Sequence, residues 1–568
     1  MRFTIFTFFF LTLILFTQDS EAFRCGTPHL KMEIGHQPIL EVPTAPIHPA
    51  APALQIGFKR SFFAIDFTSK QQYTINATLR ASGPHCYIFV EDSEWRETVT
   101  PLTVQTIQRA FDTTTPADPR RGIYDILTDD LSTPPDVDGN QKVILLFLDI
   151  REIENRTITA GYFMPIDQQR GILHHPTLGP IRSNEADILY LNSKFHRANS
   201  AEIEAVIAHE LQHLIHWKHS PNEEIWIDEG CADYAASQCG YNLYQHIQAF
   251  QNTPNISLTD WSQMNQTHLL AHYGAAFLFI QYLHDHYGGT ATVAAIIKNR
   301  LDGFDGITHT LAARGMSNKF SNIYSDWKVA NYLSTWNLLG NVKTPFRYHT
   351  TIPVIKPLFT HDTYPASGKN RQLANFASHA IEYKVNKAGQ EGLTLSFTTQ
   401  RNTNVDIKVA YLYNTGEVLV ESLPLKTTDG STSLDIPTFG TSVQRLMFMP
   451  SLQVENQSFS QQSINYNYDA DEGILGTYTT HVLPNPVHPN YWEIVAVPSE
   501  ATVAHSLTVT LTYQNRTLHD TKPMVYIRNN NQVVYRYAFH LKPEIITTKV
   551  TWSITRGDTI VDEGVLED

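Results

Sequence analysis

The segment HELQH at residues 209–213 places two histidines four residues apart, with a glutamate directly after the first. Residues four apart lie on one face of an α-helix, so His209 and His213 can direct both imidazoles at one zinc ion. Glu210 then reaches a water molecule on that metal rather than the metal itself. Zinc lowers the pKa of such a water to about 7, and the carboxylate accepts its proton. This spacing predicts zinc-assisted hydrolysis with Glu210 as the general base.

The alternative is that both histidines are core residues with ordinary hydrogen-bond partners. Hydrophobic side chains surround the motif along the predicted helix: Ile203, Val206, Ile207, Leu211, Leu214 and Ile215. Burying two histidines and a glutamate without partners is costly, and a metal ion removes that cost. The apolar setting therefore favours a metal site.

A catalytic zinc site needs a third protein ligand. Glu229, in EEIWIDEGCADYAA, is favoured and is expected to open a second helix that Asp228 caps. Asp233 lies four residues later on the same face, where it can orient a ligand histidine. His219 is the alternative ligand, because HELQHLIHWKH fits HExxHxxGxxH except that His216 occupies the glycine position. The remaining alternative is that His216 and His219 form a solvated helix end, where positive charge would interact favourably with the helix dipole.

The first residues have the pattern of a secretory signal peptide. Arg2 precedes an almost wholly apolar run over 3–16, and Ser20-Glu21-Ala22 carries small residues at the two positions that a signal peptidase recognises. We expect cleavage after Ala22, and a retained membrane anchor is the alternative. The run is too short to span a bilayer. The sequence thus predicts a secreted protein, extracellular or periplasmic, whose mature chain has no transmembrane span.

The four cysteines predict two disulfides if the chain is secreted. Among three possible connectivities the local pair Cys231 with Cys239 is favoured, and it would brace the helix that carries the third ligand. Cys25 then pairs with Cys86. Buried thiols are the alternative, and an unpaired Cys25 could then serve as a cysteine switch, although no switch motif is evident. The spacing of the cysteines matches no metal site.

The middle of the chain reads as strands followed by helices. Alternating residues predict strands at SFFAIDF, YTINATLR and CYIFV, and a buried strand at VILLFLDI. AGYFMPID and ADILYLN are two more strands before the HELQH helix. Helices are expected over 201–218, 229–238, 272–286, 293–300 and 322–338. This order is typical of an α+β domain.

The N-terminal and C-terminal parts of the chain have sequence patterns that differ from the middle. Prolines at every third position from Pro43 to Pro52 favour an extended linker or the end of a propeptide. After residue 346, segments such as GLTLSFTTQ, VDIKVAYLY and TKVTWSIT alternate with period two and predict β-sandwich modules. The chain is accordingly divided into a signal peptide at 1–22, a Pro-rich segment at 23–55, a β-rich region at 56–120, a catalytic domain at 121–345, and β modules at 346–460 and 461–568.

A second cation site is a weaker prediction. Asp136, Asp138 and Asn140 cluster in DVDGN and can offer oxygen ligands to calcium. The glycine is not where an EF-hand loop needs it, so a plain turn is favoured and a calcium site is the alternative.

HELQH followed by WIDEGCADYA resembles the glutamate zincins (gluzincins), and most closely the hyicolysin-type bacterial metallopeptidases. The likeness covers residues 120–340, including the strands before the helix. It implies a zincin-like α+β catalytic domain in which His209, His213 and Glu229 bind one zinc ion and Glu210 is the base. It also gives Asp233 the supporting role of the aspartate that follows the ligand glutamate in thermolysin-like enzymes.

A tyrosine completes the set that the resemblance implies. Tyr273 precedes Gly288-Gly289 by the interval seen in related aminopeptidases, where a tyrosine donates a hydrogen bond to the developing oxyanion. A packing tyrosine is the alternative, and His272 is a weaker candidate. The sequence lacks a GxMEN-like aminopeptidase motif, which disfavours an exopeptidase, and lacks a convincing Met-turn, which disfavours His219 as a ligand.

These observations predict a secreted zinc endopeptidase acting on proteins or peptides. The formal net charge of -14 disfavours nucleic acid as a partner, because an acidic surface repels phosphates. The first alternative is an inactive zincin scaffold that binds or adheres through its β modules, although such a scaffold has no use for Glu210. The second is a zinc hydrolase that does not cleave peptides. The oligomeric state is not predicted.

Overall fold

The computed structural model describes 22–34, 42–43, 45–47, 53–152, 157–175, 179–195, 200–261, 268–336, 342–386, 392–426, 428–455, 463–473, 478–484, 491–498, 508–513, 516–523, 525–529, 532–540, 550–556 and 559–566. The predicted signal peptide, apart from Ala22, lies outside the described residues.

The chain forms two compact units. The first comprises residues 1–247, 276–284 and 288–310, and the second comprises residues 248–275, 285–287 and 311–568. Together they make a mixed α/β protein with a seven-stranded mixed sheet in the first unit and several β-sheets in the C-terminal part. The α plus β composition predicted from the sequence is therefore confirmed at this level.

The first unit is built on nine strands. They are β1 (Ala22–Cys25), β2 (Lys59–Ile65), β3 (Gln72–Ser82), β4 (Cys86–Glu91), β5 (Val143–Leu148), β6 (Thr157–Phe163), β7 (Ile172–His175), β8 (Gly179–Arg182) and β9 (Ile188–Asn192). Seven of them form one sheet in the order β1-β6-β9-β5-β4-β3-β2, and β7 pairs with β8. Neighbours β1 and β6, β5 and β9, and β4 and β5 are parallel, whereas β6 and β9 are antiparallel.

Ten helices are described in the two units. They are α1 (Thr27–Ile34), α2 (Pro101–Asp112), α3 (Ile123–Asp130), α4 (Ser200–His219), α5 (Ile225–Gln238), α6 (Tyr244–Asn252), α7 (Leu269–His286), α8 (Thr290–Ile297), α9 (Gly303–Ala313) and α10 (Phe320–Leu333). Short 3-10 turns occupy Pro165–Gln168 and Ser334–Trp336.

The seven-stranded sheet explains the apolar run at residues 143–148. All six residues of β5 are buried, which matches an unbroken apolar run in a parallel strand covered on both faces. Its core also takes in Leu30 of α1, which is 1% exposed. The N-terminal segment thus belongs to the packed interior.

Strand β6 passes very close to helix α4 at a glycine. A Cβ atom at Gly161 would lie 2.8 Å from Val206 Cγ1 and 3.3 Å from Glu210 Cγ. Such contacts are too short for a larger residue without movement of the helix. Glycine therefore sets the distance between the sheet and the helix that carries HELQH.

The C-terminal part consists of β-sheets. Its strands are β10 (Phe359–His361), β11 (Ala366–Ala374), β12 (Ile381–Lys384), β13 (Leu393–Thr399), β14 (Val405–Tyr413), β15 (Val418–Ser422), β16 (Ser431–Ile436), β17 (Val443–Leu452), β18 (Ser463–Glu472), β19 (Tyr478–Pro484), β20 (Tyr491–Pro498), β21 (Thr508–Tyr513), β22 (Arg516–Pro523), β23 (Val525–Asn529), β24 (Gln532–His540), β25 (Val550–Arg556) and β26 (Thr559–Leu566).

Four sheets use these strands. Their orders are β10-β12-β17-β14-β15, β11-β18-β13-β16, β19-β20-β24-β23 and β22-β21-β25-β26. Side chains from the first two sheets share one core, in which the rings of Phe397 and Phe448 lie 5.8 Å apart. The alternating residues predicted to form strands after residue 346 do so.

The structure corrects the disulfide prediction, because the four cysteines are thiols. Cys231 and Cys239 are eight residues apart along α5 and its end, roughly 12 Å at the helical rise, whereas a disulfide needs Cα atoms within about 7 Å. Cys25 and Cys86 lie on β1 and β4, with three strands between them in the sheet. Neither pair is close enough to bridge.

Two further predictions about local structure are wrong. Residues 23–34, predicted as part of a Pro-rich segment, contain most of β1 and the whole of α1. The second site helix starts at Ile225, after Glu224 in extended conformation, so Asp228 lies inside the first turn rather than capping the helix. The other predicted helices and strands are present with shifted ends. Among the described residues no helix combines the length and the apolarity needed to span a bilayer.

Replacing Gly230 with alanine is predicted to destabilise the first unit. Glycine to alanine normally stabilises a helix interior by about 1 kcal/mol. Here the new Cβ would meet Ala276 O at 2.7 Å and Ile280 Cγ1 at 2.8 Å on α7. We expect Gly230→Ala to lose about 1–3 kcal/mol in urea unfolding, as overpacked sites do.

Ser237→Ala on the same helix is the matched control, because Ser237 is only partly buried and its hydroxyl donates to Tyr234 O within the helix. Its unfolding free energy should change by less than about 0.5 kcal/mol. A Gly230→Ala protein as stable as the wild type would show that α5 and α7 are not in tight contact there.

Candidate metal centre

Helices α4 and α5 bring three predicted ligands together. His209 Nε2 lies 3.1 Å from His213 Nε2 and 3.1 Å from Glu229 Oε2, and His213 Nε2 lies 3.3 Å from Glu229 Oε1. The two rings share one face of α4 because they are four residues apart. The side chains of this trio are at most 4% exposed. The favoured ligand set therefore converges on one buried point.

A fourth donor joins them from the N-terminal segment. Cys25 Sγ lies 3.6 Å from His213 Nε2, and one donor atom each from Cys25, His209, His213 and Glu229 lie within 4.8 Å of one another. The cysteine count predicts a disulfide for Cys25. The signal that could have found this contact is the alternative in which Cys25 is unpaired and acts as a cysteine switch.

The donor spacing fits a tetrahedral zinc ion. With zinc–nitrogen bonds of about 2.0–2.1 Å and a zinc–sulfur bond of about 2.3 Å, two nitrogens lie roughly 3.3 Å apart and sulfur lies roughly 3.6 Å from nitrogen. The nitrogen pair at 3.1 Å and the sulfur–nitrogen pair at 3.6 Å match these separations closely. Two imidazoles, a carboxylate and a thiol are also the donor types that zinc prefers.

The second nitrogen of each ring faces a carboxylate. His209 Nδ1 lies 2.9 Å from Asp233 Oδ1, and His213 Nδ1 lies 3.1 Å from Asp228 Oδ1. Such carboxylates orient a ligand imidazole and raise its basicity. Asp233 thus lies where the sequence placed it. Asp228 lies at ion-pair distance from His213, a position that the sequence missed because Asp228 was expected to cap the helix.

Both carboxylates have further partners. Asp233 Oδ2 lies 2.7 Å from His246 Nδ1, and these histidines hold the pKa of Asp233 down to about 2 although burial alone would raise it. Asp228 forms an ion pair with Lys31 of α1 and lies 3.0 Å from His216 Nδ1. Burial opposes ionisation of Asp228, but Lys31 and His213 hold its pKa well below the ordinary value.

The charges of the ligands depend on one another. Burial would lower the pKa of His209, yet its hydrogen bond to Asp233 and its contacts with Cys25 and Glu229 raise it well above the usual value. Burial would likewise raise the pKa of Glu229, but the two histidines lower it. A metal ion that binds here competes with protons for the ligand atoms, so metal binding and the protonation of these side chains are coupled.

Glu210 points towards the same cluster. It is fully buried, and its Oε2 accepts a hydrogen bond from Thr27 Oγ1 at 3.2 Å. Burial raises its pKa above the ordinary value, opposed by the nearby histidines. A raised pKa makes a carboxylate a stronger base, which suits a group that must accept a proton.

His219 lies apart from the cluster. Its Nε2 is 2.9 Å from Ser132 Oγ, and burial with neighbouring positive charge lowers its pKa to about 4. His219 is not among the residues whose donors converge with those of His209 and His213. The geometry thus favours Glu229 over His219 as the third ligand.

The predicted oxyanion tyrosine belongs to the second unit. Tyr273 is fully buried in α7, and its ring packs edge-on against Trp261 with centroids 5.1 Å apart. The neighbouring His272 Nδ1 lies 2.9 Å from Ser257 O, and burial lowers its pKa to about 4. The role of Tyr273 in catalysis stays a prediction.

Asp187 joins the predicted acidic cluster of Asp136 and Asp138 as a third carboxylate. Oxygens of Asp136, Asp138 and Asp187 lie within 4.8 Å of one another, and Asp187 is 1% exposed. Burial raises the pKa of Asp138 to about 6 and that of Asp187 well above the usual value. Asn140 bonds instead to its neighbours Asp138 and Lys142. This arrangement favours a proton or a cation between the carboxylates.

Comparison with known proteins adds no relative. No family model matches the chain, and no curated protein matches it. The functional argument therefore depends on the residues and geometry described above.

Asp233→Asn is predicted to weaken zinc binding by about 10–100-fold, because it removes the carboxylate that orients His209. Competition with a zinc chelator measures this affinity. Glu229→Ala should lower the affinity for zinc further than Asp233→Asn does, because it removes a proposed metal ligand.

His219→Ala is the matched control and should bind zinc as the wild type does. If His219→Ala lost the metal while Glu229→Ala kept it, the third ligand would be His219. An unchanged affinity in Asp233→Asn would mean that the contact with His209 does not support a ligand.

Proposed function

We propose that this protein is a secreted zinc endopeptidase of the gluzincin type, with a zincin-like catalytic domain followed by β modules. The observation that carries the proposal is the convergence of His209, His213 and Glu229 beside the buried Glu210. Three zinc ligands with a carboxylate next to them are the minimum that metal-assisted hydrolysis needs.

The position of Glu210 supports catalysis over a purely structural role. A buried carboxylate costs free energy unless it is paired, and a structural zinc site needs no base. Here Glu210 adjoins the ligands and holds the hydroxyl of Thr27. This group is well placed to take a proton from an attacking water molecule and to pass it to the leaving amine.

A peptide substrate fits the surroundings of the cluster. Residues Ala22–Cys25 of this chain lie there as an extended strand paired with β6, and Gly26 N donates to Gly161 O at 2.9 Å. The edge of the sheet at β6 thus accommodates an extended polypeptide through main-chain hydrogen bonds. This favours a peptidase over other zinc hydrolases.

The chain's own residues divide the remaining work. A bound zinc ion would supply Lewis acidity towards the peptide carbonyl and towards water. Asp233 and Asp228 would hold the ligand rings in place, Lys31 pairs with Asp228, and His246 contacts Asp233. Tyr273 remains the proposed donor to the developing oxyanion.

Glu210→Gln is predicted to keep zinc but to lower casein cleavage by about 10²–10⁴-fold, since it removes the base without removing a ligand. Zinc content and cleavage should be measured with Cys25 present and with Cys25→Ser, because the thiol lies at the metal cluster.

Glu202→Gln, the same change in the first turn of α4, is the matched control and should retain full cleavage. Cleavage that does not depend on Glu210 in either background would reject the mechanism. Zinc binding without any cleavage would favour the inactive scaffold that acts through its β modules.

The carboxylates of Asp136, Asp138 and Asp187 are proposed to bind calcium. About 1 mM calcium, the range of extracellular sites, should raise the melting temperature of the wild type and have no effect on Asp187→Asn. Asp129→Asn, an exposed aspartate paired with Arg121, is the control and should respond as the wild type does. No shift in the wild type would leave this cluster as a plain turn.

A further inference from the structure

We infer that Cys25 is a fourth zinc ligand and that the segment Arg24–Lys31, here termed the inhibitory segment, keeps the enzyme inactive until it is displaced. The inference rests on the proposed function. It assigns to the N-terminal segment a regulatory role at the site that the segment itself occupies.

Cys25 lies where the water needed for hydrolysis would lie. A catalytic zinc ion keeps one position open, and a fourth protein ligand closes it. Cys25 Sγ converges with the three other donors, at 3.6 Å from His213 Nε2. A thiolate is a strong ligand for zinc, and the metal would hold it deprotonated although burial raises the pKa of the thiol when no metal is present.

Two neighbours of Cys25 occupy the rest of the machinery. Thr27 Oγ1 donates to Glu210 Oε2 at 3.2 Å, so the base is engaged by this segment. Lys31 pairs with Asp228, the carboxylate behind His213. Three residues of the inhibitory segment, Cys25, Thr27 and Lys31, therefore contact the ligand cluster, the base and the supporting carboxylate.

The segment is also anchored outside the catalytic groups. Arg24 donates to Thr159 Oγ1 at 3.1 Å and to Glu152 Oε2 at 3.0 Å, and Thr27 Oγ1 accepts from Phe163 N at 2.9 Å. With this segment in place, Glu210 and Glu229 are fully buried. A substrate cannot reach them in this arrangement.

Several features favour a displaceable inhibitor over a permanent structural ligand. Strand β1 has four residues and lies at the edge of the sheet, paired with β6 alone, so its removal breaks one short ladder. The same edge is the place proposed for an extended substrate. A permanent four-ligand site would leave the buried Glu210 without a purpose.

Cobalt-substituted full-length protein tests the ligand assignment without an activity measurement. A thiolate ligand gives cobalt(II) an intense sulfur-to-metal charge-transfer absorption in the near ultraviolet. We expect this absorption in the wild type and in Cys86→Ser, and its loss in Cys25→Ser with the metal still bound. Cys86 is the matched control because it is a buried thiol on β4 that contacts Asp112. If the absorption persisted in Cys25→Ser, the ligand assignment would be overturned.

Peptide cleavage by the zinc forms then tests inhibition. Cys25→Ser should cleave at least about tenfold faster than the wild type, because the rate follows the fraction of molecules with an open site. Cys86→Ser should cleave as slowly as the wild type. If Cys25→Ser lost the absorption but was no faster than an active wild type, Cys25 would be a permanent ligand and inhibition would be rejected.

The two proposals fail in different ways. If the absorption is lost in Cys25→Ser but no variant shows Glu210-dependent cleavage, the peptidase proposal fails, and with it inhibition, while the ligand assignment stands. If no variant binds cobalt or zinc, both fail together.

Discussion

The site depends on keeping several ionisable side chains together in an apolar interior. Two histidines, Glu229 and Glu210 are buried on facing helices, where isolated charges would be prohibitively costly. Basic and acidic side chains alternate, which reduces this cost: each imidazole lies between Glu229 and a second carboxylate, Lys31 pairs with Asp228, and His246 Nδ1 contacts Asp233. A divalent ion in place of the imidazole protons would complete the same pattern.

This alternation requires exact spacing between secondary-structure elements. Gly161 lets β6 approach α4 beside Glu210, and Gly230 lets α5 approach α7 directly after Glu229. At both positions a Cβ atom would meet another element within 3 Å. The two glycines thus set how far each site helix stands from its support, and a shift of either helix would separate donors that now lie about 3.1–3.6 Å apart. Packing and chemistry are coupled at these positions.

The sequence predicts the parts of the site that depend on helical periodicity. His209, His213 and Asp233 could be placed because residues four apart share a face, and Glu229 followed from the resemblance and its neighbours. The contact of Cys25 with His213 could not be placed, because it spans 188 residues and the cysteine count favoured a disulfide over an unpaired Cys25. Asp228 was misplaced because the helix starts at Ile225, and only tertiary contacts reveal that its carboxylate faces His213.

In the proposed enzyme, the arrangement described here is the closed form, in which Cys25 lies at the metal position that water needs. An open zinc site exposes the metal to solvent, whereas a fourth ligand completes its coordination, and Thr27 donates a hydrogen bond to one oxygen of Glu210. Displacing the inhibitory segment would then free the ligand position, release Glu210 from Thr27 and release Asp228 from Lys31. Because the other proposed ligands and their supporting carboxylates lie on α4 and α5, the proposed closed and open forms share that framework.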